Sequence, residues 1–212
     1  MRDRSVHRQC FAAIVVVTFL GFSQATADST TAPIVFWGPL SDSSPEYATW
    51  SGSSWSTGAD AFNYGCDLAF VSGKNCPTRD ETGFMAVDYC NSIKVFGRSG
   101  TTWTSPYQLT TGTNGQSTRM FDIAYETTSG DAMLVFWDGD HNDLEYRIAT
   151  SSSLSAEYDV ADSDSADIKW VKLVSHPSTD EIIVVWLDSF NDIYTKTWNG
   201  SSWGSTLTLT TT

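Results

Sequence analysis

Three groups of side chains in this chain have the types and spacing to do chemistry, and all three point to binding. The first is Asp67, Asp122 and Lys172, which fall at one aligned position of three short runs: CDLAF (Cys66 to Phe70), FDIAY (Phe121 to Tyr125) and VKLVS (Val171 to Ser175). If those runs line a common cavity, the three polar heads would hold a cation or a sugar hydroxyl; the plain alternative is that they are solvated or pair with neighbouring backbone. The second is the turn DGDHND at 138–143, where Asp138, Asp140 and Asn142 offer oxygen at alternate positions. A hard cation such as calcium takes six to eight oxygen ligands, so the turn is a calcium candidate, although the EF-hand pattern fails at Asp143 (where Gly is required) and Ala149 (where Glu is). The third is a tryptophan set, Trp50, Trp55, Trp103, Trp198 and Trp203. Exposed indoles stack on sugar faces. Trp50, Arg98 and Trp198 share one repeat position and are the expected ligand contacts. Trp55, Trp103 and Trp203 are expected to pack between repeats.

Catalytic patterns do not emerge from the same reading. Once a leader is removed, only His141 and His176 remain to serve a Ser-His-Asp triad, and no GxSxG elbow occurs. Neither a phosphate loop nor a dinucleotide fingerprint is present, and two histidines with few cysteines make a Cys/His zinc site unexpected. Catalysis is therefore not expected.

These groups sit in a repeating framework. Met120 to Thr150 reads as three short strands joined by two polar turns, the middle one, Met133 to Trp137, apolar at every position and so expected to be interior. The middle run recurs as Ile34 to Trp37, Phe84 to Val87 and Ile182 to Trp186, and the strand after it recurs around Tyr47, Val95, Tyr146 and Thr195. A fourth run follows each tight turn and passes through Trp55, Trp103, Leu154 and Trp203, spaced 48, 51 and 49 residues apart. Four-stranded antiparallel units of about fifty residues in tandem are the pattern of β-propeller blades. The expected fold is an all-β, propeller-like array of about four blades (28–57, 58–105, 106–156 and 157–212), with a β-sandwich as the alternative. The first blade is expected to lack its innermost strand. Three ways of completing the array stay open: a four-bladed ring, a ring completed by a second copy of the chain, or a piece of a longer product.

Residues 1–27 read as a signal peptide: Arg2, Arg4 and Arg8 form the basic region, Phe11 to Phe22 the apolar region, and Ala25-Thr26-Ala27 the cleavage pattern before Asp28. The apolar run is too short for a comfortable membrane span. The expected product is secreted, with no membrane span after cleavage. The chain carries a formal charge of −13; without the leader it has 9 Lys+Arg against 24 Asp+Glu, or −15. Such acidity repels nucleic acid and anionic membrane surfaces. Of the remaining cysteines, Cys66 and Cys76 flank one candidate hairpin and are the expected bridge, with Cys90 able to replace either.

The pieces TWSGSSWS, FGRSGTTWTS and TWNGSSWGS resemble the blade-end repeats of secreted bacterial propellers. They resemble the Asp-box of sialidase-type propellers in part, with Trp50, Arg98 and Trp198 standing where the box has its aspartate, and they are similar to the Trp-bearing repeats of six-bladed fucose-binding lectins. The resemblance covers residues 34–212 and implies architecture. It suggests a non-catalytic binding module for carbohydrate or another exported surface component, with a glycan or extracellular protein as partner. The alternatives are a sialidase-like glycosidase or lyase and a structural or adhesion fragment that closes by oligomerisation. A sialidase-type site would need converging arginines, yet Arg79, Arg98, Arg119 and Arg147 occupy no repeated inner-strand position.

Overall fold

A computed structural model describes residues 32–38, 43–113, 118–162 and 166–211 in full, together with the backbone of 14–17. The described residues form no helix and four antiparallel sheets, each a meander in chain order. The first contains β1 (Ile14–Val17), β2 (Ile34–Gly38), β3 (Glu46–Thr49) and β4 (Ala59–Asp60). The second contains β5 (Leu68–Asn75), β6 (Glu81–Asp88) and β7 (Ile93–Ser99), with β8 (Thr102–Trp103) and β9 (Tyr107–Thr110) both paired to β7. The third contains β10 (Phe121–Tyr125), β11 (Ala132–Asp138), β12 (Asp143–Ala149) and β13 (Tyr158–Asp162), and the fourth β14 (Ile168–Ser175), β15 (Ile182–Asp188), β16 (Ile193–Trp198) and β17 (Leu207–Thr210). The inner strands pack in succession, β1 on β5, β5 on β10 and β10 on β14.

The repeat is exact at the aspartates that open its hairpin turns. Asp88, Asp138 and Asp188 are fifty residues apart, all buried, and each accepts the amide two residues ahead through Oδ1, from Cys90, Asp140 and Phe190 at 2.9–3.0 Å. The turn then passes through Asn91, Asn142 or Asn191, all at φ of 62–69°, a left-handed conformation that Asn tolerates better than most residues. At the other end of the inner hairpins, Cys76, Glu126 and His176 donate their amides to the carbonyls of Glu81, Asp131 and Glu181, each at 2.8 Å. As expected of interior strands, every residue of β11 is buried.

In the full chain Ile14–Val17, inside the segment read as a leader, pairs with β2 as the innermost strand of the first sheet; residues from 28 onward supply only its other three strands. Two expectations are corrected. The outer strands β4, β9, β13 and β17 begin just after Trp55, Trp103, Leu154 and Trp203, so the sheets run past 57, 105 and 156. The disulfide is Cys66–Cys90, and Cys76 is a buried free thiol. Cys66 lies at the foot of β5 beside the 88–92 turn, where the Tyr89 amide bonds the Asp67 carbonyl. Cys76 lies beyond the far end of the same strand, whose eight residues span roughly 26 Å at about 3.3 Å per residue, so it is out of reach of Cys66. There its Sγ faces the carbonyl of Gly130 in the third sheet, at 3.4 Å.

Candidate functional site

Of the first group, the fold unites Asp122 and Lys172 and leaves Asp67 aside. Asp67 precedes β5, because the run CDLAF sits five residues ahead of the true register. The residue fifty before Asp122 is Ser72, and the inner strands therefore present Ser72, Asp122 and Lys172 to one another. Asp122 is wholly buried. Its Oδ1 accepts from Arg119 Nη2 and the Ser72 hydroxyl, both at 2.6 Å, and its Oδ2 accepts from Lys172 Nζ at 3.0 Å and the Leu173 amide at 2.9 Å. Burial pushes this carboxyl up, but Arg119 and Lys172, helped by the Leu173 amide and the Ser72 hydroxyl, hold it below the usual carboxylate range. Lys74 stands near the same group, its ammonium pushed down by burial and by the Lys172 charge. Three cations around one carboxylate do not make a cation site. They make a charged pin through three sheets.

The calcium candidate is held by its own turn and by two threonines at the end of the second sheet's outer strand. Asp138 Oδ1 accepts from the Asp140 amide and from the Thr110 hydroxyl, Asp140 Oδ2 accepts from Thr111 at 2.9 Å, and Asn142 donates its amide to the Asp138 carbonyl. The groups gathered around Asp138 Oδ2 are His141, at 2.9 Å, with Glu145 and Glu157.

The tryptophans divide differently from expectation. Trp198 is buried (3% exposed), and its indole N–H donates to Glu126 Oε1 at 2.6 Å across the boundary between the third and fourth sheets. Burial raises the Glu126 carboxyl, while its hydrogen bonds from Ser129 and Trp198 pull it back. Trp50 is half-buried against Trp55, whose own ring is the exposed one at 47%. Arg98 lies over the rings of Tyr47 and Trp103, with its guanidinium carbon 5.5 and 5.9 Å from their centroids.

These contacts expose a periodic device at each sheet-to-sheet boundary: one residue from the third strand of a sheet meets two from the turn region of the next. Between the first and second sheets they are Tyr47, Arg98 and Trp103; between the third and fourth they are Tyr146, Trp198 and Trp203, with rings 5.5–5.8 Å apart. Between the second and third they are Val95, Ala149 and Leu154. All three are small or aliphatic, so the space filled by rings elsewhere stays open. A cleft of about 480 Å³ lies there, and Val95, Ala149 and Leu154 all line it. Ile123 and Leu134 add buried apolar lining, and Glu81, Thr104, Ser105 and Arg147 add polar groups.

The polar groups are held in place. Arg147 donates from Nε and Nη2 to Glu157 Oε2 at 3.1 and 3.0 Å and from Nη1 to the Ser155 carbonyl at 3.3 Å, three of its five N–H groups. Its guanidinium lies 5.8 Å from the ring of Tyr107, half exposed at the cleft. Glu81 accepts from the Tyr125 hydroxyl at 3.1 Å and from Arg79 Nε at 3.2 Å. Burial and Glu81 together push the Tyr125 phenol up, so it stays a neutral donor. The volume and the apolar lining with few convergent polar groups suit a small organic ligand. Reading the repeat for recurring residues missed this cleft, because its signal is the departure at Val95, Ala149 and Leu154.

No protein-family model matches this chain, and no curated protein matches its sequence. Solved structures do resemble it. The BP39L lectin from Burkholderia pseudomallei superposes with a TM-score of 0.67 at 12% identity, over 86% of this chain and 54% of that one. AofleA from Arthrobotrys oligospora gives 0.57 at 11%, over 84% and 53%. The Aleuria aurantia lectin, a six-bladed β-propeller, gives 0.50 at 14%, over 84% and 56%. The fold is that of a β-propeller. This chain spans little more than half the length of those structures, and at such identities the likeness concerns architecture alone. Its four sheets are blades, and the cleft lies between the second and third.

Proposed function

We propose that the protein is a non-catalytic carbohydrate-binding module whose ligand enters the cleft between the second and third blades. The observation that carries this reading is the open boundary at Val95, Ala149 and Leu154, lined by Arg147, Glu81 and an exposed Tyr107. A pyranose has an apolar C–H face for a tyrosine ring and hydroxyls for a guanidinium fork and a carboxylate. The similar Aleuria aurantia lectin recognises fucose. In this cleft the methyl group of a 6-deoxyhexose has partly exposed apolar side chains, Val95, Ala149 and Leu154, to meet. A glycan array probed with the purified full chain should show binding to terminal deoxyhexoses; no signal on any glycan would sink the reading.

Export belongs to the same proposal and rests on the leader-like residues 1–27. Cleavage before Asp28 would take β1 with it and leave the inner edge of β2 unpaired. N-terminal sequencing of protein recovered outside the producing cell should begin at Asp28, and a start at Met1 would overturn this part.

A further inference from the structure

The three equivalent hairpin turns differ in what faces the second oxygen of the buried aspartate. In the second blade Lys94 Nζ stands 3.2 Å from Asp88 Oδ2. In the fourth blade Tyr194 brings its hydroxyl beside Asp188 and Asp192. In the third blade the residue in that register, paired to Phe136 as Lys94 is to Ala86 and Tyr194 to Trp186, is Glu145. An acid thus replaces a donor opposite a buried acid. Glu157 adds a third carboxylate, and Asp159, paired to Glu145 on β13, adds charge of the same sign nearby. The Arg147 bonds go to Glu157 and not to Glu145.

Buried like charges are costly unless something positive joins them. Glu145 is 5% exposed, and its Oε2 is buried without a donor. His141, which is well exposed, places Nδ1 2.9 Å from Asp138 Oδ2 and 3.5 Å from Glu145 Oε1. One ligand atom each from Asp138, His141, Glu145 and Glu157 lies within 4.8 Å of all the others. A tetrahedral ion with bonds near 2.1 Å holds its ligands about 3.4 Å apart, so the two His141 distances are already of that size.

We propose that Asp138, His141, Glu145 and Glu157 form a binding site for a divalent transition-metal ion, zinc being the best match for one imidazole with three carboxylates. The ion would satisfy the orphaned Glu145 oxygen and neutralise the cluster, and exposed His141 opens the route from solvent. Imidazole favours zinc over calcium, which prefers all-oxygen sets. This site differs from the Asp138, Asp140 and Asn142 set, sharing only Asp138 with it.

Calorimetric titration of the full chain, stripped with chelator, should show one equivalent of zinc bound, more tightly than calcium. His141→Ala should weaken zinc at least about tenfold while the metal-free protein keeps its β-sheet circular dichroism, since the imidazole itself is exposed. Glu145→Gln should weaken zinc as well, and His176→Ala should not. Absence of stoichiometric zinc binding, as when Glu145 and Glu157 merely share a proton, would overturn the proposal. So would equal zinc affinity in the wild type and His141→Ala.

Discussion

Asp122→Asn is expected to cost about 3 kcal/mol of folding stability at neutral pH, at the low end of the range for breaking a buried ion pair. The carboxylate is wholly buried and joins Ser72, Arg119, Lys172 and the Leu173 amide, so it pins the inner strands of three blades. An amide keeps the shape but leaves two cations without a counter-charge. The low end applies because the Arg119 and Lys172 side chains keep 27% and 31% of their exposure, and water softens the loss. The pH dependence has a definite sign. The carboxyl titrates lower in the folded chain than its ordinary value of 3.8, so its stabilisation is present above that value and is lost as pH falls through the folded one. Urea unfolding of both proteins should therefore show a gap that is widest near pH 7 and narrows below pH of about 4. A neutral-pH gap under about 0.5 kcal/mol would mean that the network is not a stabilising pin.

Ala149→Trp is expected to abolish glycan binding, by at least about a hundredfold in apparent affinity, or ~2.7 kcal/mol, without unfolding the chain. The indole would occupy the position that Trp198 fills one repeat later, where a ring fits against Tyr146 and Trp203. In the cleft it would displace the ligand. Leu154→Trp should act in the same direction, since Trp103 and Trp203 hold that position at the neighbouring boundaries. Glycan affinity and thermal melting measured together check this. Retained binding with an unchanged melting temperature would move the site out of the cleft.

More of this stands in the chain than recurrence alone reveals. The Val95, Ala149 and Leu154 departures stand in the aligned repeats, but a search for recurrence treats them as tolerance rather than as missing volume. Conversely, the presence of Arg98 and Ala149 at the repeat position of Trp50 and Trp198 suggests exposure, whereas the Trp198 indole is buried and bonded to Glu126. Two aromatic positions four or five residues apart on a twisted edge cannot be sorted into inside and outside until the neighbouring blade is in place. The Asp67 assignment failed for a simpler reason. A run of five apolar-leaning residues fits a strand in several registers, and only the pairing of Ser72 with Met85 selects one.

What the chain by itself determined is the fold class, the fifty-residue unit, the interior middle strands and the hairpin turns. Those follow from local alternation, turn chemistry and period, and each is a property of neighbouring residues. What only the tertiary structure decided is long-range: the Cys66–Cys90 bridge, the pin at Asp122, the open boundary between the second and third blades, and the meeting of Glu145 with Asp138, His141 and Glu157. Each of these depends on which side chains of paired strands or neighbouring blades meet across a gap of a few ångströms. A one-residue slip of register would change them all, and no local pattern in the chain sets that distance.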